Sequence, residues 1–286
     1  VEYPHYYTGK NDLHSQKPQM PGLLSEGGMP WKRGGAVMEE KRKETPDQVG
    51  NSYLALDLET TGLDPKRDKI IEIGACRVRD GEIEKELSLL IHPHQPLPER
   101  ITALTGITDE MLSEAPDMES VIGQVMDFCG DLPILGHHVI FDYSFLKRAA
   151  VNAGFPFERT GIDTLGLCRR FMPEEEKKNL SAACAWYQVP EETAHRALSD
   201  ARMAHFLYQK IRALNISGHE ETFLPKPLIY KVKREQPASK KQKEGLRELA
   251  KYHRINLSVD IEYLTRSEAS RMTDKIIFQY GRMKKR

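Results

Sequence analysis

From residue 53 to residue 59 the chain alternates, with Leu54, Leu56 and Leu58 on one face and Ala55, Asp57 and Glu59 on the other. A period of two predicts a strand. Two further apolar runs, 70–78 and 83–92, flank Asp80-Gly81, a dipeptide suited to the left-handed backbone of a two-residue hairpin turn. Helical spacing then predicts helices over residues 119–129 and 142–153, the second ended by Gly154 as a C-terminal cap. Between them, residues 133–136 read as a short buried strand, and further helices are expected over 180–187 and 197–213. Antiparallel strands followed by alternating helices and strands predict an α/β fold, a mixed sheet flanked by helices.

The pattern changes at both ends. Residues 1–49 carry Pro, Gly and charge in neither period, which predicts a disordered segment. The chain opens on Val1, and the Arg33-Gly34-Gly35 run before Met38 is compatible with purine-rich codons of a ribosome-binding site, so Met38 is the expected native start. A domain is expected over 50–213, followed by a linker over 214–238, where Pro225, Pro227 and Pro237 stand among charges. The remainder, 239–286, reads as a small basic helical module. Its first helix, 240–253, carries Leu246, Leu249 and Ala250 as an apolar stripe. Its second opens on the capping box Thr265-Arg266-Ser267-Glu268 and continues with Ala269, Met272, Ile276 and Tyr280.

Composition narrows the partners only locally. The 286 residues carry 42 basic and 42 acidic side chains, so net charge points to neither nucleic acid nor membrane. Residues 239–286 differ, with 13 Lys and Arg against 6 Asp and Glu. Lys240, Lys243, Arg247, Lys251 and Arg254 step by three or four and gather on one helix face. Two readings stay open for it. It is a solvated face balanced by pairs such as Glu244–Arg247 and Glu248–Lys251, or Lys243, Arg247 and Lys251 track the phosphates of a single strand. Cys76, Cys129, Cys168 and Cys184 lie far apart without a C-x-x-C, which predicts buried free thiols rather than a zinc site or disulfides. No run reaches the roughly 18 apolar residues of a membrane span, and no signal-peptide core is present. The expectation is a soluble, cytoplasmic protein with no membrane partner.

Three short segments carry candidate chemistry. Asp57 and Glu59 project from the same face of an apolar strand, where two carboxylates are expensive to bury unless a hard cation such as Mg²⁺ compensates them. An edge strand with its polar face in water explains the same pair without a metal. Asp142 stands at the start of a helix, where an N-cap role needs no catalysis. His195 and Asp200, five residues apart, diverge by about 140° on an ideal helix. They converge only if His195 lies in the loop that enters the helix and Asp200 one turn inside.

Taken together, the runs LDLETTGLD (56–64), GHHVIFDYSFL (136–146) and HRALSD (195–200) resemble the three exonuclease motifs of the DEDDh family. The intervening LTGITDEML and IDTLGLCRRF also resemble family segments. The likeness is strongest to the proofreading (epsilon) subunit of bacterial DNA polymerase III and the exonuclease domain of the Gram-positive replicative polymerase. It implies a ribonuclease-H-like fold and hydrolysis from a 3′ end with release of nucleoside 5′-monophosphates. It implies Asp57, Glu59, Asp142 and Asp200 as ligands of two divalent ions, Mg²⁺ with Mn²⁺ able to substitute, and His195 as general base. Thr60, Leu63 and Thr105 are the substrate contacts it implies. His138 departs from the pattern, since the family often has Asn there.

The implied partner is a single-stranded or frayed 3′ end of DNA, in replication proofreading or repair, with a DNA polymerase as a further candidate. Glu59-Thr60-Thr61-Gly62 is closer to the DNA branch than to the oligoribonuclease branch. An RNA-trimming exonuclease is the first alternative. A non-catalytic nucleic-acid-binding module is the second, but it predicts a missing carboxylate, and none is missing.

Overall fold

The computed structural model describes residues 50–190 and 195–283, so the expectations for 1–49, including the start at Met38, lie outside the described residues. Strand β1 (Tyr53–Thr60) divides the core by its alternation. Leu54, Leu56 and Leu58 face a cluster built with helices α3 (Met118–Cys129) and α4 (Ile140–Ala153). Tyr53 and Ala55 face a second cluster with α5 (Thr164–Phe171), α6 (Leu180–Trp186) and α7 (Ala197–Asn215). The outer end of that second face carries Asp57 and Glu59. Strand β1 is therefore central, covered on both sides, and the edge-strand explanation of its carboxylates fails.

β1 pairs antiparallel with β2 (Ile70–Arg79), which pairs antiparallel with β3 (Glu82–Leu90). Asp80 and Gly81 take φ of 50° and 85°, the doubly left-handed turn that the dipeptide predicts. On its other side β1 pairs in parallel with β4 (Ile134–Gly136), and β4 with β5 (Thr160–Asp163). The six-stranded order is β3-β2-β1-β4-β5-β6, with β6 at Lys226–Pro227, a mixed sheet flanked by helices as expected. Three helices and two strands were not predicted as elements: α1 (Glu99–Thr105), α2 (Asp109–Ser113), α5, β5 and β6. Each is eight residues or fewer, too short for periodicity to distinguish from a loop.

The stretch expected to be a linker is instead tied to the sheet. Phe223 is fully buried and stacks on Phe171, with ring centroids 5.9 Å apart. Lys226–Pro227 forms β6, antiparallel to β5, and Glu235 bonds to Arg148 at 2.7 Å and to Asn152 through its N–H. Proline and charge predicted solvation, but alternate side chains find apolar cover.

In the C-terminal module, α8 (Lys240–His253) and α9 (Arg266–Tyr280) enclose a small core of Leu246, Leu249, Leu264, Ala269 and Ile276. Both helices start with a two-way capping box. The module meets the sheet domain through Lys69–Glu268, 2.7 Å, and through the His94 ring stacked on Tyr263. The basic stripe of α8 has a partner that its sequence spacing conceals. Lys243 and Arg247 both pair with Glu262, rather than Arg247 with Glu244 as expected. All four cysteines are buried free thiols, and among the described residues no helix is long and apolar enough to cross a membrane.

Candidate active site

β4 pairs with β1 only at Leu54 and Ala55, and the two strands part beyond Leu135. The crevice so opened admits the first turn of α4, and the Leu58 N–H donates to Asp142 Oδ1 at 3.1 Å. Asp142 is 3% exposed and lies inside the helix, with Val139 at the cap position. The N-cap alternative is thereby excluded, and Asp142 is aimed at β1 beside Asp57 and Glu59.

The third segment reaches the same place over β2. Asp57 lies opposite Gly74, and Glu59 opposite Glu72. The backbone of Ala197 occupies the space a side chain at Gly74 would need. This close approach sets the start of α7 on the carboxylate face. His195 lies in the entering loop with φ of 60°, and its N–H donates to Asp200 Oδ2 at 3.1 Å. A left-handed residue at this point overcomes the 140° divergence of an ideal helix. One potential ligand atom from each of Glu59, His195 and Asp200 lies within 4.8 Å of the others.

The carboxylates repel one another. Burial pushes Asp57 well above the usual carboxylate range, and Asp142, Asp200, Glu59 and Glu72 push it further. Burial likewise raises Asp142 well above that range, against the Leu58 N–H. Glu59 rises from 4.5 to about 7 through burial, Asp200 and Glu72, with Arg196 opposing. Asp200 is raised by burial and held back by the His195 N–H. Four hard oxygen donors held close together and short of positive charge match the coordination chemistry of Mg²⁺ or Mn²⁺.

The implied substrate contacts fare unequally. Leu63, in the turn that follows β1, is 83% exposed. Thr60 is buried and donates to the Gly62 carbonyl at 2.6 Å. Thr105 is also buried; its hydroxyl donates to the Ile101 carbonyl and accepts from the Ile107 N–H. Ile101 and Ile107 belong to the core, while Leu104 is exposed. His137 is bonded on both ring nitrogens, to Thr164 and the Lys178 carbonyl. His138 takes φ of 75°, a conformation in which His and Asn are both enriched. Its N–H donates to Asp163, so the departure leaves Asp142's bond to Leu58 in place. Lys243, Arg247 and Lys251 stand on α8, outside this cluster. Sequence reasoning missed Glu72 and Gly74, although an acid and a glycine inside the apolar run IIEIGA were a readable signal.

An acidic cluster at the open end of a central strand, completed by a histidine in the loop that enters a flanking helix, defines a nuclease hydrolase of ribonuclease-H-like fold. The RNase_T exonuclease family matches residues 54–208, and the chain belongs to that family. It is 33% identical over 181 residues to the PolC-type DNA polymerase III of Clostridium perfringens, covering 63% of this chain and 12% of the relative. It is 35% identical over 175 residues to the Staphylococcus epidermidis protein of the same description, covering 59% and 12%. The chain thus spans about an eighth of the length of these polymerases. Among solved structures, the zinc-bound complex of Escherichia coli exonuclease I with single-stranded DNA superposes with a TM-score of 0.53 at 15% identity. That superposition covers 60% of this chain and 42% of the other, and shows a shared fold.

Proposed function

We propose that the chain is a 3′→5′ exonuclease that hydrolyses the terminal phosphodiester of a single-stranded or frayed DNA end and releases nucleoside 5′-monophosphates. The observation that carries this reading is the convergence of Glu59, His195 and Asp200 beside Asp57 and the inserted Asp142. Asp57, Glu59, Asp142 and Asp200 would hold two divalent ions, which when bound supply charge stabilisation to the attacking and leaving oxygens. His195, on its exposed loop, accepts the proton of the attacking water at a ring nitrogen. Leu63 offers an apolar surface to the terminal nucleotide. DNA is favoured as substrate because the similar sequences are DNA polymerases, and the same likeness supports proofreading beside a polymerase, with DNA repair as the other role in this reading.

Purified chain and 5′-labelled single strands of matched DNA and RNA sequence, with Mg²⁺, test the reading. Stepwise shortening of DNA from the 3′ end, abolished by chelation, is expected. Faster shortening of RNA would move the chain to the RNA-trimming branch, and no shortening of either would refute the reading.

A further inference from the structure

Glu72 is the buried carboxylate that the proposed chemistry does not use. It is 1% exposed, sits near the start of β2, and faces the same side of the sheet as Asp57 and Glu59. An isolated buried carboxylate beside another is strongly disfavoured. Both of its oxygens are engaged by the segment that carries the histidine. Arg196 Nη2 donates to Oε1 at 2.8 Å, Arg196 Nε lies 3.2 Å from each oxygen, and the Ala197 N–H donates to Oε2 at 3.1 Å. Arg196 follows His195 directly, and Ala197 is the first residue of α7. The carboxylate therefore binds the entering loop through a charged fork and also takes up one of the orphan N–H groups at the helix start, where negative charge is favourable.

We propose that Glu72 is a positioning residue: through Arg196 and the Ala197 N–H it fixes where His195 and Asp200 stand relative to Glu59. This rests on the nuclease reading of the cluster. The Arg196–Glu72 pair sets the position of the loop, and the Gly74 contact sets the depth of the helix. The left-handed backbone at His195, with φ of 60°, is thus held where the imidazole and the Asp200 carboxylate meet Glu59. Arg196 also places its positive charge next to Glu59 and lowers the mutual repulsion there.

The same helix supplies its own control. Arg202 of α7 pairs with Glu86 of β3 at 2.6 Å, so Glu86 also ties α7 to the sheet but touches neither the loop nor the carboxylates. Glu72→Gln, which keeps the volume, and Glu72→Ala would be compared with Glu86→Ala by kcat, KM and Mn²⁺ binding followed by electron paramagnetic resonance. Residues that orient metal ligands are typically worth about 10–100-fold in activity or metal affinity. Glu72→Ala is expected to lose about that much in kcat with KM nearly unchanged, and to bind Mn²⁺ about tenfold more weakly. Glu72→Gln should fall between it and the parent, and Glu86→Ala should stay within about twofold. In a His195→Ala background assayed at saturating Mn²⁺, Glu72→Ala should remove less rate than it does alone, because the share of its effect carried by His195 is already lost. Equal losses in Glu72→Ala and Glu86→Ala, or losses that multiply fully with His195→Ala, would overturn the proposal. Should the parent cleave no nucleic acid, the nuclease reading fails while the Mn²⁺ comparison still decides whether Glu72 orders the cluster. If Glu72→Ala does not fold, Glu72→Gln carries the same comparison.

Discussion

A Cβ on Gly74 would lie 2.0 Å from the carbonyl carbon of Ala197 and 2.1 Å from the Leu198 nitrogen. Both atoms are backbone, so neither can rotate away. Gly74→Ala should lift the start of α7 and with it His195 and Asp200. Overpacking of this kind costs about 1–3 kcal/mol. Thermal unfolding should register that loss, and nuclease turnover should fall by well over tenfold. A Gly74→Ala protein with parental turnover would show that helix depth does not set the site.

The buried carboxylates trade stability for charge, which gives a second test. Asp57→Asn removes the ionisable group from the most crowded position while keeping the volume, and with it the cost of burying it charged or holding its proton. In chelator, the variant should unfold at a higher temperature than the parent; turnover should be lost. Adding Mg²⁺ should stabilise the parent and leave the variant nearly unmoved, since ion binding raises stability only where the site is intact. A parent that gains nothing from Mg²⁺ would refute the metal assignment.

The pH dependence of the metal-free fold has a definite sign. Glu59 titrates near 7 when folded, against an ordinary 4.5. Between those values the unfolded chain releases this proton and the folded chain keeps it, so stability falls as pH rises. A tenfold displacement of a protonation equilibrium is worth about 1.4 kcal/mol, so Glu59 alone accounts for about 3 kcal/mol across the window. The raised Asp57, Asp142 and Asp200 act in the same direction. Urea unfolding in chelator at pH 5, 6, 7 and 8 should show the decline, reduced in Glu59→Gln. Stability that climbed with pH over this range would contradict the burial of the cluster.

His195→Ala should retain metal-induced stabilisation and lose about 10²–10⁴-fold in rate, the usual contribution of a general base. The deficit should narrow at high pH, where hydroxide is abundant. Full activity of this variant at neutral pH would require a different base.

Much of this architecture was legible in the residue order, and for specific reasons. The alternation of 53–59 placed Asp57 and Glu59 on one face, because a strand's period is fixed by its pleat. The 140° misfit made a loop position for His195 the condition of its meeting Asp200, and only the motif resemblance supplied the expectation that they meet. Asp142 was harder: an acid near a helix start reads equally as a cap, and only the divergence of β4 from β1 shows the crevice it enters. Glu72 stayed hidden because its partner is 124 residues away in the sequence, beyond the reach of local spacing. The same limit concealed Glu262 from the basic stripe on α8, which lies 15 residues from Arg247 across a turn.

The chain after α7 sets a constraint on any shortened version of the enzyme. A cut at residue 213 would keep all five site residues yet strip away Phe223 and β6. The Phe171 and Tyr208 rings that now contact Phe223 would border a hole, and β5 would become an unprotected edge offering its free N–H and C=O groups to other chains. Such a fragment would hold every ligand and still be prone to self-association, whereas one ending just beyond Glu235 retains the plug and the sealed edge.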